Sequence, residues 1–306
     1  MTAYITRRAL LALPILFMVI TLVFFALQLI PGDAARMYVG EQASLEAVER
    51  ARVELGLDRP VLVQYTSYLT RLVQGDMGKS FITGRPVSVE IKGRFGNTVK
   101  LAVVALAFGT ALGLIMGTLS AIYQEGFWDY LFSLLSIIGI STPIFWLALL
   151  MMHLFSIRLR LLPTVGNETW QHWIMPVLAL SVGSIAFVTR MTRSAVLEML
   201  GEDFVRTARA KGLSERVVLV RHALKNALIP ITTIVGLRFG YMLGGSVITE
   251  TIFAWPGLGR LMFTAVGQRD LPLVQGVLLV YASTFVLVNV VVDIIYGFID
   301  PRIRYD

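Results

Sequence analysis

Long apolar runs alternate with polar stretches of unequal length along this chain. The runs are Ala9–Ile30, Thr98–Tyr123, Tyr130–Phe155, Trp173–Val188, Leu228–Ile252 and Leu273–Ile299. The first is interrupted only by Thr21 and Gln28. At about 22 residues it exceeds the roughly 7–15 apolar residues of a signal peptide and is long enough to span a bilayer. It follows Arg7 and Arg8, so it reads as a first transmembrane helix with its N-terminus inside rather than as a cleaved leader. The pattern predicts an all-α polytopic membrane protein with six transmembrane helices and both ends on the cytoplasmic side.

The polar insert at 31–97 is too long for a turn. Ser44 suits the N-cap of a helix over Leu45–Leu55 that stops at Gly56, and a second amphipathic helix is expected from Val61 to Val73. Basic and acidic residues nearly balance there, as in an extracytoplasmic loop. The tripeptide Gly78-Lys79-Ser80 matches the tail of a phosphate-binding loop. However, the leading glycine of that motif falls on Val73 and no strand precedes it, so the match is chance. The chain thus divides into residues 1–30 (tail and first span), 31–97 (extracytoplasmic loop region) and 98–306 (transmembrane core).

Within the core, Asn97 reads as the cap of the second span. Gly109, Gly113 and Gly117 recur every four residues, on one helix face where a neighbouring backbone can come close. Gly236, Gly240 and Gly244 repeat the pattern in the fifth span. The turn Gln124–Asp129 is acidic where a cytoplasmic turn should be basic, the weakest point of this topology. Pro143 should kink the third span, and Trp170 and Trp173 suit an interfacial aromatic belt before the fourth. The last outer loop, 253–271, carries Trp255-Pro256-Gly257, and the tail ends with Arg302 and Arg304. Three charged or amide groups lie inside spans: Arg238, about 10 residues into the fifth, and Asn289 and Asp293 in the sixth. A charge at that depth costs enough to suggest a function. These three are the candidates for a translocation path, with two readings open: Arg238 and Asp293 form a structural ion pair, or Arg238 faces the path and attracts a solute carboxylate.

The stretch Arg190–Lys225 holds eight Lys or Arg against four Asp or Glu, the strongest sign that it is cytoplasmic. Glu202–Pro230 reads as two short helices around a hinge. Val205, Ala208 and Arg209 share a face of the first, and Arg209 and Lys211 suit its C-terminal dipole. Gly212 stands where a left-handed glycine ends a helix. Ser214 suits the N-cap of a second helix over Glu215–Ala227, and Pro230 the start of the next span. Because both ends run into membrane-length apolar segments, the pair is a docking loop rather than a DNA-reading helix-turn-helix.

That stretch resembles the EAA loop of ABC-importer permeases. The loop's pattern is Glu-Ala-Ala, three residues, Gly, nine residues, Ile-x-Leu-Pro. Ala208, Gly212 and Leu224 match it, whereas Arg206, Thr207, His222 and Lys225 depart from it. The wording RTARAKGLSE followed by RHALKNALIP is similar to the dipeptide, oligopeptide, glutathione and nickel permeases. So are LIPGD at Leu29–Asp33, LGLDRP at Leu55–Pro60, FAWPGLGR at Phe253–Arg260, RDLPLVQ at Arg269–Gln275 and DPRIRY at Asp300–Tyr305. The resemblance covers essentially the whole chain. It implies the type I ABC importer permease fold, with a coupling helix formed by Arg206, Thr207, Ala208, Arg209, Ala210, Lys211, Gly212 and Leu213 within the loop 190–227. It also implies a second, similar permease subunit, two ATPase subunits that bind ATP and Mg, an extracytoplasmic solute-binding protein, and a bacterial inner-membrane setting. Short peptides or glutathione would be the solutes, with a nickel chelate as the alternative.

Composition narrows this further. The chain has 306 residues, 56% hydrophobic and 15% charged, against about 25% charged in soluble domains. The net charge of +7 fits Lys and Arg kept on the cytoplasmic face rather than a nucleic-acid partner. There is no cysteine, and His153, His172 and His222 are too far apart to show ligand spacing, so no metal site is expected. No catalytic residue is expected either, since nucleophile elbow, HExxH, complete P-loop and Rossmann fingerprint are all missing. No internal repeat of the kind found in ion-coupled carriers is evident, and a docking loop has little use in a transporter that works alone.

Overall fold

The computed structural model describes residues 2–29, 32–40 and 42–299, and the side chain of Asp293 lies outside the description together with Arg7, Arg8, Arg302 and Arg304. Among the described residues no strand occurs. The helices are α1 (Thr2–Gln28), α2 (Ala34–Val39), α3 (Leu45–Glu54), α4 (Val61–Val73), α5 (Val87–Ile122), α6 (Phe127–Ser141), α7 (Ile144–Met151), α8 (Gln171–Gly201), α9 (Asp203–Ala210), α10 (Glu215–Val217), α11 (Lys225–Ile252), α12 (Leu258–Gly267) and α13 (Leu271–Ile299). Two wider π-helical segments, Met152–Arg158 and Val218–Leu224, follow α7 and α10. Five helices are long and apolar enough to cross a membrane, and α6 with α7 makes a sixth, broken span bent by 104°.

The bundle is built on α5 and α8. In hydrocarbon, helices gain nothing by hiding apolar surface, so they associate where small residues allow close packing. The first glycine ladder meets this need. A Cβ added at Gly109 would lie 3.1 Å from the Ser184 side chain. At Gly113 it would lie 2.7 Å from Val188, and at Gly117 2.5 Å from the Thr189 carbonyl oxygen. The second ladder divides: Gly236 and Gly240 abut Val292 and Phe285 of α13, whereas Gly244 has nothing within 4 Å. Helix α1 packs along α13 at the edge of the bundle.

Several elements differ from the expectations above. Helix α5 begins at Val87, so the last eleven residues of the insert belong to it, and Asn97 lies inside it rather than at its cap. The helix starts early because Val87 and Ile91 are buried against Leu258, Leu261 and Leu273. Asn97 instead donates its side-chain amide to the Pro256 carbonyl, 2.9 Å, and Trp255 Nε1–H donates back to the Asn97 carbonyl, 3.2 Å. Pro143 breaks its span rather than kinking it. It ends α6 through Thr142, whose N–H and Oγ1–H both donate to the Ile138 carbonyl, and it opens α7 as an N-cap in extended conformation. The acidic turn between α5 and α6 also has an account. Asp129 is buried and accepts from Arg193 Nε (2.6 Å) and its terminal nitrogen (2.8 Å), from Ser120 Oγ (2.5 Å), and from Glu125 N–H (2.9 Å). Its charge is neutralised inside the bundle, so it says nothing about which side of the membrane the turn faces.

At the opposite end of the bundle Ser44 accepts from Ala47 N–H and caps α3 as expected, at 3.3 Å. Asp33 caps α2, a helix that the apolar pattern did not reveal, and binds Arg52 at 2.8 Å. Ser44 and Ser214 therefore stand at opposite ends of the bundle. Cysteines placed singly at these positions in this cysteine-free chain should react with a membrane-impermeant maleimide from opposite sides of oriented vesicles. Labelling of both from one side would overturn the six-span arrangement.

Candidate functional sites: the docking turn and the cavity at the broken span

The docking turn hangs between two long helices. Helix α8 does not stop at Val188 but runs on through Arg190 and Arg193 to Gly201, so the loop predicted from Arg190 begins a dozen residues later. Helix α9 then places Val205 and Ala208 against Val218 and Leu200, and its other face stays exposed. Arg206, Arg209, Ala210, Lys211 and Leu213 lie in that exposed set, as does Thr207, whose hydroxyl donates to the Asp203 carbonyl at 2.9 Å. Gly212 has φ +77°, the left-handed conformation expected of it, and nothing lies within 4 Å of the place a Cβ would occupy. The glycine is needed there for its backbone and not for space.

The second half departs from the sequence reading. Ser214 is extended but its hydroxyl makes no capping bond. The turn is held instead by Arg209 clasping Glu215 with two hydrogen bonds, 2.9 and 3.2 Å, which keeps the Glu215 carboxyl below its ordinary range. The second helix is only Glu215–Val217. The π-helical segment carries it straight into α11, and Pro230 falls inside that continuous helix rather than at its start. The carbonyl that the proline leaves without its helical donor is that of Asn226, an exposed residue, so the missing bond is not buried.

The path candidates fall on different faces. Arg238 points away from α13: Gly236 and Gly240, which touch α13, each lie two residues from it and so about 160° around the helix. Its guanidinium stacks on Phe187 of α8, 3.3 Å from the ring centroid, with Tyr241 at 5.4 Å. Asn289 lies on the α13 stripe that meets α11, and its amide donates to the Phe285 carbonyl of its own helix at 2.8 Å. The structure does not bring Arg238 and Asn289 together, and the Asp293 side chain lies outside the described residues.

Arg238 sits in the wall of a cavity of about 190 Å³ at half-depth in the bundle. Thr142 and Ile144 at the broken span, Gly183 and Phe187 of α8, and Tyr241 of α11 complete much of the lining. Phe187 and Tyr241, both exposed, flank its mouth. Sequence reasoning finds Arg238 but not its companions, because an aromatic residue in an apolar run gives no local signal of what it faces.

It also passes over Glu250, a fully buried carboxylate at the C-terminal end of α11. Glu250 accepts from the N–H groups of Gly259 (2.6 Å) and Arg260 (3.2 Å) and so pins the first turn of α12. An acid closing an otherwise apolar run, just before Trp-Pro-Gly, is the signal that could have found it. Asp270 plays a similar part. Its carboxylate accepts from Ser80 Oγ and from Phe81 N–H (3.0 Å), tying the insert to the start of α13.

Residues 109–305 match the family described as "Binding-protein-dependent transport system inner membrane component". Residues 1–102 match its companion, "Binding-prot-dependent transport system membrane comp, N-term". The chain is 43% identical over 305 residues to the glutathione transport system permease protein GsiC of Salmonella typhimurium, and 42% identical to that of Escherichia coli K12, with 100% of each chain covered. Among solved structures it resembles an inward-facing MetNI methionine ABC transporter. That match has a TM-score of 0.59 and 19% identity, and covers 68% of this chain and 94% of that one. It also resembles an amino acid ABC transporter, with a TM-score of 0.55, 18% identity, and coverage of 69% and 94%. At such identities these structures speak for the fold, and the sequence matches speak for the lineage: this chain belongs to the family of inner-membrane permease components of binding-protein-dependent ABC transport systems.

Proposed function

We propose that this chain is one of two permease subunits of an ATP-driven importer of short peptides, with glutathione, the solute for which its curated relatives are named, as the leading candidate. The observation that carries this reading is end-to-end similarity to those relatives at 43% identity. The exposed face of α9, ended by Gly212, suits an element that seats in a groove on a cytoplasmic motor. Two ATPase subunits would bind ATP and Mg there, and this chain would hydrolyse nothing. A similar permease would face the exposed stripe Leu237, Tyr241 and Ile248 on α11 across a shared path, and lipid would cover the rest. A solute-binding protein would deliver cargo to the end formed by α2–α4 and α12. Both termini would then be cytoplasmic, in a bacterial inner membrane.

Gly212→Val tests the docking element. A β-branched residue forced into the left-handed region costs about 1–2 kcal/mol, or about five- to thirty-fold in an equilibrium. No steric clash adds to this, since the space around Gly212 is open. The variant should insert and pair with the second permease normally, yet retain less ATPase subunit in pull-down and lose stimulation of ATP hydrolysis by the loaded binding protein. Full retention with normal stimulation would falsify the assignment of α9 as the coupling element. For the solute, the binding protein encoded beside this chain should bind glutathione in calorimetry. Silence with glutathione and a signal with a nickel chelate would reverse the choice.

A further inference from the structure

The cavity at the broken span has features that a packing defect would lack. It lies where α6 ends and α7 begins, at the depth of Gly183 in α8 and Arg238 in α11. A cation there is costly: an arginine at mid-membrane is disfavoured by about 2.5–3.5 kcal/mol. Stacking on an aromatic ring offsets only about 1–2 kcal/mol of that. No carboxylate among the described side chains lies within ion-pair distance of its guanidinium. The same wall has a second, weaker source of positive potential. Helix α7 is capped by a proline, which offers no side chain to the amides of Ile144, Phe145 and Trp146, and its first hydrogen bond is Leu147 N–H to the Pro143 carbonyl, 3.1 Å. Thr142 adds nothing to neutralise it, because its hydroxyl is engaged by Ile138.

We propose that this cavity is a transient subsite for a carboxylate of the transported solute, with Arg238 as the counter-charge. The inference rests on the importer reading and deepens it by naming the part of the solute that is recognised within the membrane. The recess is half open, so it can take one end of a solute while the rest stays outside. Pockets that hold a whole small ligand run to roughly 300–1,000 Å³. A cavity of about 190 Å³ takes one end of a short peptide and leaves the remainder in the path beyond Phe187 and Tyr241. The guanidinium, planar and parked on the Phe187 ring, has its edge free to offer two parallel N–H donors to a carboxylate, the geometry that lysine cannot reproduce. On release, Phe187 takes the cation back. Arg238 therefore changes partner rather than losing one, and the carboxylate is held without a deep trap.

The test uses the whole complex with its partner subunits, in nanodiscs of phosphatidylcholine, whose headgroup carries no net charge and so removes anionic lipid as a competing ligand. Gly183→Cys places a thiol in the cavity wall, where an added Cβ meets nothing within 4 Å. Thr142→Cys is the second reporter if the first disturbs assembly. Modification of this otherwise cysteine-free chain is followed by mass with anionic methanethiosulfonate ethylsulfonate and with its cationic trimethylammonium counterpart. The anionic reagent should be favoured, and that preference should fall about tenfold in Arg238→Gln but persist in Arg238→Lys, as expected for one charge at close range in a medium of intermediate dielectric. Glycylglycine at millimolar concentration should slow the reaction, and its C-terminal amide should not. Arg238→Lys should weaken that protection because the paired donors are gone. An unchanged charge preference in Arg238→Gln, or equal protection by the amide, overturns the site. If the ATPase subunits fail to co-purify with the unsubstituted chain, the importer reading falls, and the reagent ratios still judge the cavity.

Discussion

Gly113→Leu should all but abolish accumulation of this protein in the membrane. Helices α5 and α8 touch along the ladder Gly109, Gly113 and Gly117, and at Gly113 a Cβ alone would come 2.7 Å from Val188 and 3.1 Å from the Ile185 carbonyl oxygen. A leucine adds three further carbons where there is no space for the first. Relief requires α5 and α8 to separate, and in lipid no hydrophobic force opposes the separation, so dispersion contacts along the whole seam weaken together. Overpacking a core typically costs about 1–3 kcal/mol, and a site closed by the stiff β-branched side chain of Val188 and the Ile185 carbonyl should sit at or above the top of that range. Gly240→Leu should be milder, since what it meets is the ring of Phe285, a side chain that can rotate. Gly244→Leu, in the same ladder as Gly240 but facing open space, should accumulate normally. Extractable protein and thermal midpoint in detergent measure all three, and equal yields for Gly113→Leu and Gly244→Leu would remove the packing account.

The next largest loss should come from Asp129→Ala. That carboxylate gathers donors from two helices and a turn, so its removal leaves Arg193, Ser120 and the Glu125 amide without an acceptor at once. Breaking a buried ion pair costs about 3–5 kcal/mol. Arg193 is a third exposed and can lean toward water, so about 2–3 kcal/mol is the better expectation here. Glu125 adds to this, because it holds φ +61° without being glycine and its amide is fixed by Asp129. Arg193→Ala should cost a similar amount, and the double variant less than the two singles together by about 1 kcal/mol or more. Thermal unfolding of the three variants in nanodiscs measures this, and additive losses would show that the two residues act independently.

The glycine seam and the Asp129 network fall on either side of what is legible in the sequence. Apolar run length identifies the spans, four-residue glycine spacing identifies the seam on α5, and the positive φ at Gly212 follows from its place after a basic helical turn. These are local signals, readable within a window of a few turns. Asp129 and Arg193 lie 64 residues apart, Ser80 and Asp270 190 apart, and Asn97 and Pro256 159 apart, and nothing in either partner's neighbourhood names the other. Helix ends escape the sequence for the same reason. Asn97 has the chemistry of a cap, but packing of Val87 and Ile91 extends α5 past it. Pro230 looks like a start signal, but α11 is already under way. In the docking turn, Ser214 also has the chemistry of a cap, but the Arg209–Glu215 clasp makes its bond unnecessary. For the cavity, Arg238 is legible as a charge out of place, whereas its stacking on Phe187 requires the fold.

Helix α8 has a mechanical consequence. It is one helix of 31 residues, about 47 Å at 1.5 Å per residue, from Gln171 near the Trp173–Trp255 contact to Gly201 beside α9. On the other side of the docking turn, α11 is reached only through the π-helical segment Val218–Leu224, whose wider turns are a softer joint. The two arms that hold α9 thus differ in stiffness. A stroke applied at α9 meets no proline in α8 between Gly201 and Pro176, near the far end of the helix, so most of α8 should swing as a lever with α5 clamped along it, while the softer arm gives. Motion would then reach the far end of the bundle as a tilt of the α5–α8 pair, with α11 sliding past it, so that the cavity wall carrying Arg238 moves relative to the wall carrying Phe187.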